Sequence, residues 1–149
     1  MALMKHRDLG SMPDGLCRVA EDIKKGTAVV RKLVDGKYVL AKPASAAEAK
    51  AFYGFVTLDI EYKEHKGSYY DVIAKDSLAV CYTRVKDNEW KTTEFDGELA
   101  VGDKCAVAFE GEAAGKVVKV SDGSETMEVV GLIAAMAGYE EAMVIVKLL

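Results

Sequence analysis

The feature that most constrains this sequence is an internal repeat. Residues 22–86 and 98–149 are two diverged copies of one β-rich unit, and three glycines of the first copy have counterparts in the second. The pairs are 76, 79 and 77 positions apart: Gly26 with Gly102, Gly36 with Gly115, and Gly54 with Gly131. A period of this length is too long for a solenoid array. The repeat therefore predicts one small β-unit that has been duplicated and fused.

A Val-rich stretch at 27–33, alternation at 55–62 and a very apolar last segment are among the signals that predict strands in both copies. The predicted strands are 27–33, 37–42, 55–62 and 78–85 in the first copy, and 104–110, 116–120, 129–137 and 142–148 in the second. Asp35-Gly36 is typical of a two-residue hairpin turn. Ser45 and Glu48 match a capping box, which predicts one short helix over 45–51. The fold is therefore expected to be mainly β, as one β-barrel or a pair of barrel-like lobes.

The repeat divides the chain into four segments. They are an N-terminal arm at 1–20, a first β-unit at 21–86, a linker at 87–97 and a second β-unit at 98–149; the two units could also form one fused domain. Gly10, Pro13 and Gly15 break any helix in the first segment. That segment is either a disordered tail or an extended arm that docks on a neighbouring subunit. The anchors of such an arm would be Leu3, Met4, Leu9, Met12 and Leu16.

Charge and composition narrow the classes of partner. The chain has 149 residues, a net charge of −4 and a pI of about 5.3. A general nucleic-acid binder needs a basic face, so nucleic acid is not an expected partner. No apolar run reaches the ~18 residues of a membrane span, and the first residues do not match a secretory signal. Cys17, Cys81 and Cys105 lack metal spacing and are expected to be reduced.

The sequence presents no evident set of catalytic residues. His6 lies in the predicted arm and His65 in a polar loop, so neither has an evident nucleophile beside it. No pair of His or Cys residues has the spacing of a zinc site. The stretch 111–115 lacks the ending of a phosphate-binding loop, and Asp122-Gly123 lacks calcium-loop spacing. We therefore expect no enzyme activity, no metal and no cofactor.

Three aromatic residues lie among charged ones. Tyr69 and Tyr70 belong to a polar insert at 63–76 that the second copy lacks, and Trp90 belongs to the predicted linker. Large rings in polar surroundings suit protein interfaces, where they add contact area at a low cost in entropy. These three residues are therefore candidate interface residues. The alternative is that they cap the core of their own unit.

The order of these motifs resembles one known family. Lys25-Gly26-Thr27 and Val101-Gly102-Asp103 each precede a strand, Gly-Lys-hydrophobic follows at the hairpin, and a small Ala/Glu-rich helix and an apolar last strand come later. This order is similar to that of the capsid decoration (cement) proteins of tailed bacteriophages, over roughly residues 22–149. The resemblance implies a small β-barrel or tulip-like unit. It also implies a structural virion protein that binds the outer capsid surface and stabilises it.

The resemblance further implies the partners and the location. The major capsid protein would be the main partner, with other copies of the chain, as a trimer, as a further candidate; the protein would be made in the bacterial cytoplasm and reside on the capsid. The family has no catalytic residues to carry over. The insert and the aromatic linker depart from its simplest members. Residues 1–20 and the insert are expected to contact the shell, so deleting 1–18 should abolish binding and leave the fold intact.

Two other functions remain open from the sequence. Tail-tube, head-completion and baseplate proteins of phages are also β-rich, although they more often have a long loop or helix for ring stacking. A soluble ligand-binding β-barrel or a small enzyme would need a pocket with converging polar groups. The sequence does not show such a group of residues.

Overall fold

A computed structural model describes residues 3–58, 72–135 and 141–149. Within these ranges the chain has fourteen strands, helix α1 (Ala46–Lys50) and one 3-10 turn, so the predicted mainly β fold is confirmed. Two six-stranded sheets contain twelve of the strands, and β4 (Ile23–Lys24) pairs with β8 (Val72–Ile73). No helix in these ranges is long and apolar enough to cross a membrane.

Each large sheet is built mainly from one half of the chain. In spatial order, the strands of the first sheet are β2 (Pro13–Asp14), β9 (Val80–Thr83), β7 (Gly54–Thr57), β5 (Ala28–Val34), β6 (Lys37–Ala41) and β3 (Arg18–Val19). The strands of the second sheet are β1 (Leu3–Arg7), β10 (Glu89–Thr92), β14 (Met143–Leu148), β13 (Met127–Ile133), β11 (Lys104–Val107) and β12 (Val117–Lys119). β3 and β6 are parallel, and the other neighbours in the two sheets are antiparallel.

Local sequence explains the first hairpin and the helix. Asp35 and Gly36 have φ values of 50° and 78°, as a two-residue turn between β5 and β6 requires. The Ser45 hydroxyl accepts a hydrogen bond from the Glu48 amide at 3.2 Å and so caps α1. The Glu48 carboxylate accepts one from the Ala44 amide at 2.6 Å. The hairpin and the capped helix are both confirmed.

The two sheets share one strand order. β9, β7, β5 and β6 are adjacent in the first sheet, as β14, β13, β11 and β12 are in the second. The Gly26 amide donates to the Val56 carbonyl at 2.9 Å, and the Gly102 amide donates to the Val129 carbonyl at 2.8 Å. Gly26 and Gly102 therefore occupy equivalent positions. We call the halves built around the first and second sheets the first and second unit.

The glycine pair Gly54 and Gly131 is not equivalent, which corrects the sequence alignment. Because Val56 corresponds to Val129, Gly54 corresponds to Met127. The pairing register of β13 with β14 shifts between Val129 and Gly131. This local irregularity places a glycine in the second unit where the first has none.

The pair Gly36 and Gly115 is not equivalent either. Leu40 of β6 and Val117 of β12 occupy the same register position in their sheets. Counting back from these residues, Gly115 corresponds to Tyr38. Gly36 lies at the tip of its hairpin, whereas Gly115 lies beyond the corresponding turn.

The repeat begins earlier than the sequence indicates. β2 pairs with β9 as β10 pairs with β14, and Phe95 forms a parallel bridge to β12 as Val19 does to β6. Val19 and Phe95 are 76 positions apart, the same separation as Gly26 and Gly102. Residues 13–19 therefore correspond to residues 89–95.

This correspondence corrects two predicted segments. Residues 3–7, 13–14 and 18–19 are strands paired with their own chain, so the first segment is not irregular. Residues 89–92 are a strand between β1 and β14 and are not a linker. Both stretches contain short strands whose pairing partners are distant in sequence.

The first unit closes on itself through β3. One edge of β3 pairs with β6, and on its other side the Val19 amide donates to the Ser77 carbonyl at 3.0 Å. The Ala79 amide donates to the Cys17 carbonyl at 3.2 Å, and Ala79 leads directly into β9. The sheet therefore forms a small barrel. Its buried interior contains Cys17, Val19, Ile23, Val29, Leu40, Val56, Ile73, Ala79 and Cys81.

The two units share a second, larger core. The outer face of the first barrel contributes Ala28, Val30 and Phe55, and α1 with the following loop contributes Ala49 and Phe52. These residues pack on the inner face of the second sheet, which contributes Trp90, Cys105, Val107, Val117, Met127, Val129, Val144, Val146 and Leu148. The two units are therefore fused through one continuous apolar core.

Gly115 lies at a close backbone contact between the units. Its carbonyl accepts a hydrogen bond from the Ala28 amide at 2.9 Å, and its φ is +87°. A Cβ at this position would overlap the Thr27 methyl group and would lie 2.9 Å from the Ala28 carbonyl oxygen. The contact between the units therefore requires glycine here.

Replacing Gly115 with Ala should lower the free energy of unfolding by about 3 kcal/mol or more, because overpacking adds to backbone strain. Gly123→Ala is the matched control, since Gly123 has a φ of +84° and open space around its Cα. That variant should lose only about 1 kcal/mol. Urea unfolding measures the free energy of unfolding of both variants. Equal losses in the two variants would contradict the close contact at Gly115.

Candidate functional site

Trp90, a sequence-predicted interface residue, belongs to the shared core. It is 1% exposed, and its ring centre lies 5.0 Å from that of Tyr82. A buried ring cannot contact a partner, so the interface prediction for Trp90 is wrong. The ring packs within the core that the two units share. Tyr69 and Tyr70 lie outside the described residues, as does the side chain of Met4.

The other predicted anchors lie on a segment that follows its own chain. Leu3 is half-buried against the shared core. Leu9, Met12 and Leu16 are 51%, 74% and 90% exposed. The Leu9 amide donates to the Asn88 side-chain oxygen at 2.6 Å, which ties the segment to the second unit. These three apolar side chains therefore point outward from an anchored backbone.

Leu16 lines a groove of about 380 Å³ at one end of the first barrel. The opposite wall is the β5–β6 hairpin, with Arg31, Lys37 and Tyr38. Asp14, Cys17, Arg18 and Val39 complete the lining of this hairpin groove. Three cations and one carboxylate give it a positive charge, although the whole chain is acidic.

Arg31 is held between two tyrosine rings. Its guanidinium carbon lies 4.6 Å from the ring centre of Tyr38 and 4.7 Å from that of Tyr53. A cation above an aromatic face is attracted by the negative π-cloud. One guanidinium nitrogen also lies 3.8 Å from an Asp14 carboxylate oxygen. Arg31 is therefore a fixed cation in the groove wall.

Asp14 joins the N-terminal segment to this cluster. Its carboxylate accepts hydrogen bonds from the Leu16 amide at 3.0 Å and from the Tyr53 hydroxyl at 2.8 Å. The hydrogen bond from Leu16, then the one from Tyr53 and the charge of Arg31, lower the pKa of Asp14 against the opposing effect of burial. Burial, together with Asp14, raises the pKa of Tyr53 to about 12. Asp14 is therefore charged and Tyr53 neutral at physiological pH.

The thiols are not activated. Cys17, Cys81 and Cys105 are free and buried. Burial raises the pKa of Cys17 and Cys81, with the Asp14 charge as the next cause, and raises that of Cys105 to about 11. A nucleophilic cysteine needs a lowered pKa, so these groups have the properties of core residues.

The cluster around Arg31 is specific to the first unit. By register, Asp14 corresponds to Trp90 and Arg31 to Val107. The Tyr53 amide bonds to the carbonyl of residue 29 as the Thr126 amide does to that of residue 105, so Tyr53 corresponds to Thr126. A cluster required by the fold of the unit would be expected in both halves. This one is therefore a candidate for function.

In the second unit two of these equivalent side chains have no partner. The indole nitrogen of Trp90 and the hydroxyl of Thr126 are buried without a hydrogen bond to any described residue. In the first unit, Asp14 and Tyr53 bond to each other at the same positions. These positions thus form a polar contact in the first unit and are packed without one in the second.

The described residues include no group of three side chains that could hold a metal ion. His6 lies 3.5 Å from the Glu89 carboxylate on the surface of β1, and His65 lies outside the described residues. A second cavity, of about 550 Å³, has Lys5 and Tyr82 in its lining. Lys5 forms an ion pair with Asp8 at 2.9 Å, so its charge is already neutralised locally.

Comparison of the chain with protein-family models, with curated proteins and with solved structures gave no match. The site is therefore assigned from its geometry and from the comparison of the two units. Sequence reasoning missed Asp14, Arg31, Tyr38 and Tyr53. For Asp14 and Arg31 the available signal was the separation of 76 positions, which pairs these charged residues with the apolar Trp90 and Val107. Tyr38 and Tyr53 lie at other separations from their counterparts and had no such signal.

Replacing Tyr53 with Phe should raise the pKa of Asp14, because a hydrogen bond to its carboxylate is lost. A carboxylate with a lowered pKa stabilises the fold fully above the unfolded pKa of about 4, and this contribution is lost as the pH falls through the folded pKa. The variant should therefore lose about 1 kcal/mol at neutral pH and less in acid.

NMR titration of the Asp14 carboxyl carbon and urea unfolding at neutral and acidic pH measure both effects. Tyr38→Phe, which removes a hydroxyl from the other face of Arg31, is the control and should leave the pKa of Asp14 nearly unchanged. An unaltered Asp14 pKa in Tyr53→Phe would contradict this account of the cluster.

Proposed function

We propose that this chain is a structural protein of a tailed bacteriophage that attaches to the outer capsid surface and stabilises the shell. Its main partner would be the major capsid protein, and it would work without catalysis or a cofactor. The proposal combines the motif order of the sequence with a surface that the fold exposes. That surface belongs to the first unit and its N-terminal segment.

The uneven distribution of exposed apolar side chains carries the proposal. Of the eleven large apolar side chains that are exposed among the described residues, six lie between Leu9 and Tyr38. They are Leu9, Met12, Leu16, Leu33, Val34 and Tyr38. Leu33 and Tyr38 are paired on the β5–β6 hairpin, and Leu16 lines the same groove as Tyr38. Exposed apolar patches mark interaction sites on soluble proteins. We therefore expect the binding surface on the first unit.

The fold suits a stabilising role. A protein that binds only the assembled shell shifts the equilibrium toward that state by mass action. The N-terminal segment is anchored at both sheets, through β1 and β2, so its apolar residues are ordered before binding. Such preorganisation lowers the entropy cost of association. A ligand carrier would need polar groups that are free to bind a ligand. In the hairpin groove Asp14 is already bonded to Tyr53 and paired with Arg31, and Lys5 in the larger cavity is paired with Asp8.

Point substitutions test this better than the deletion that the sequence suggests. Removing residues 1–18 would remove β1, β2 and part of β3, so the fold would not stay intact. Leu9→Ser with Met12→Ser should leave stability within about 0.5 kcal/mol, because both side chains are exposed. Binding to expanded capsids that lack the protein should weaken at least tenfold, roughly the loss expected from one buried apolar side chain.

Co-sedimentation with capsids measures the binding. Leu132→Ser is the matched control, because Leu132 is exposed on the second unit and should not contribute. Absence of wild-type binding would favour a tail component or a ligand-binding protein. An equal loss in the control would place the contact on another surface.

A further inference from the structure

The second unit shows how the equivalent of the hairpin groove is used. By register, Thr92 corresponds to Leu16 and Gly115 to Tyr38. In the second unit these residues hold a short segment of the first, residues 26–28, which leads from a turn at Gly26 into β5. The Thr92 hydroxyl donates to a carbonyl of this segment at 2.8 Å, and the Gly115 carbonyl accepts from one of its amides at 2.9 Å. The same region docks a segment in one unit and is an open groove in the other.

The counterpart of the docked segment is exposed. Residues 26–28 are buried, whereas Gly102 and Lys104 at the equivalent positions are exposed, and the adjacent Val101 is 65% exposed. The stretch at 96–103, which we call the acidic turn, contains three carboxylates, of which Asp103 is paired with Lys119 at 2.8 Å. The next residue, Lys104, is paired with Glu128 at 3.2 Å, so its charge is neutralised locally. The first unit thus has a groove with no segment docked in it. The second unit has an exposed segment equivalent to the one that docks within the chain.

We propose that the acidic turn of one copy docks in the hairpin groove of the next, so that copies of this chain associate head to tail. The charges match on both sides. Arg18, Arg31 and Lys37 in the groove outnumber its single carboxylate, and Asp96 and Glu98 are exposed on the turn. Such complementarity directs the correct contact and disfavours others.

The side chains make this contact weaker than the internal one. Val107 and Trp90 in the second unit are replaced by Arg31 and Asp14 in the groove, so a polar surface takes the place of an apolar one. Tyr38 replaces Gly115 and keeps the docked backbone further away, so the contact is made by side chains. Permanent interfaces are more apolar than reversible ones. The association should therefore be reversible and strongest where copies are crowded on a surface.

A second copy fits the groove better than nucleic acid does. Nucleic acid would meet a chain of net charge −4 and a groove with only three cations. The exposed Leu16 and Tyr38 in the groove suit an apolar residue such as Val101. A contact between two different surfaces of identical copies closes a ring or extends a filament.

Sedimentation equilibrium of the free protein tests the proposal without any capsid. The wild-type mass should rise above that of one chain with concentration, and should fall again as added salt screens the charges. Lys37→Glu in the groove and Glu98→Lys in the turn should each weaken association at least tenfold, roughly the effect of one like-charge contact. Lys86→Glu makes the same charge change at an exposed site outside both surfaces and should associate like the wild type.

A mixture of the two variants is the decisive sample. Lys37→Glu copies keep a native turn and Glu98→Lys copies keep a native groove, so one native contact forms per pair and the mass should rise again. A mass of one chain up to about millimolar concentration would overturn the proposal. So would equal losses in Lys86→Glu, or a mixture that stays monomeric. If the wild type is monomeric and Lys37→Glu loses capsid binding, the groove contacts the shell and the proposal is overturned.

Discussion

Burial of the inner face of the second sheet is the constraint on which the rest of the structure depends. The second unit does not cover this face alone, and Ala28, Phe55 and α1 of the first unit complete its core. Backbone contact at Gly115 brings the units close enough for these side chains to interlock. The first unit has no such need, because β3 closes its barrel around a separate interior. The two repeats therefore fold as one body with unequal roles.

This inequality explains where function can arise. In the second unit, Trp90 and Val107 stand at positions equivalent to two residues of the hairpin groove, and both are buried in the shared core. In the first unit the same positions are free of that requirement and carry Asp14 and Arg31 beside Tyr53. The two copies thus use equivalent positions differently, for packing in the second unit and for the lining of a groove in the first. The shell role that we propose would use the stable core together with an exposed contact surface.

Signals that act within a few residues could be predicted from the sequence. Asp35-Gly36 specifies its hairpin and Ser45 its helix through their own backbone preferences. Strands of two residues, such as 13–14 and 18–19, have no periodicity to detect, and their pairing is decided by distant neighbours. The site was missed for the same reason, because Asp14 meets Tyr53 only after the barrel closes. The register shift in β13 explains only why Gly131 was aligned with Gly54.

Cryo-electron microscopy of capsids decorated with the wild-type protein tests the central claim most directly. The account predicts ordered density at symmetric positions, with Leu9 and Met12 against the shell and the outer face of the second sheet toward solvent. The reverse orientation, with Leu132 and the ion pair of Lys104 and Glu128 against the shell, would contradict it. Capsids without added density would contradict the proposed function as a whole.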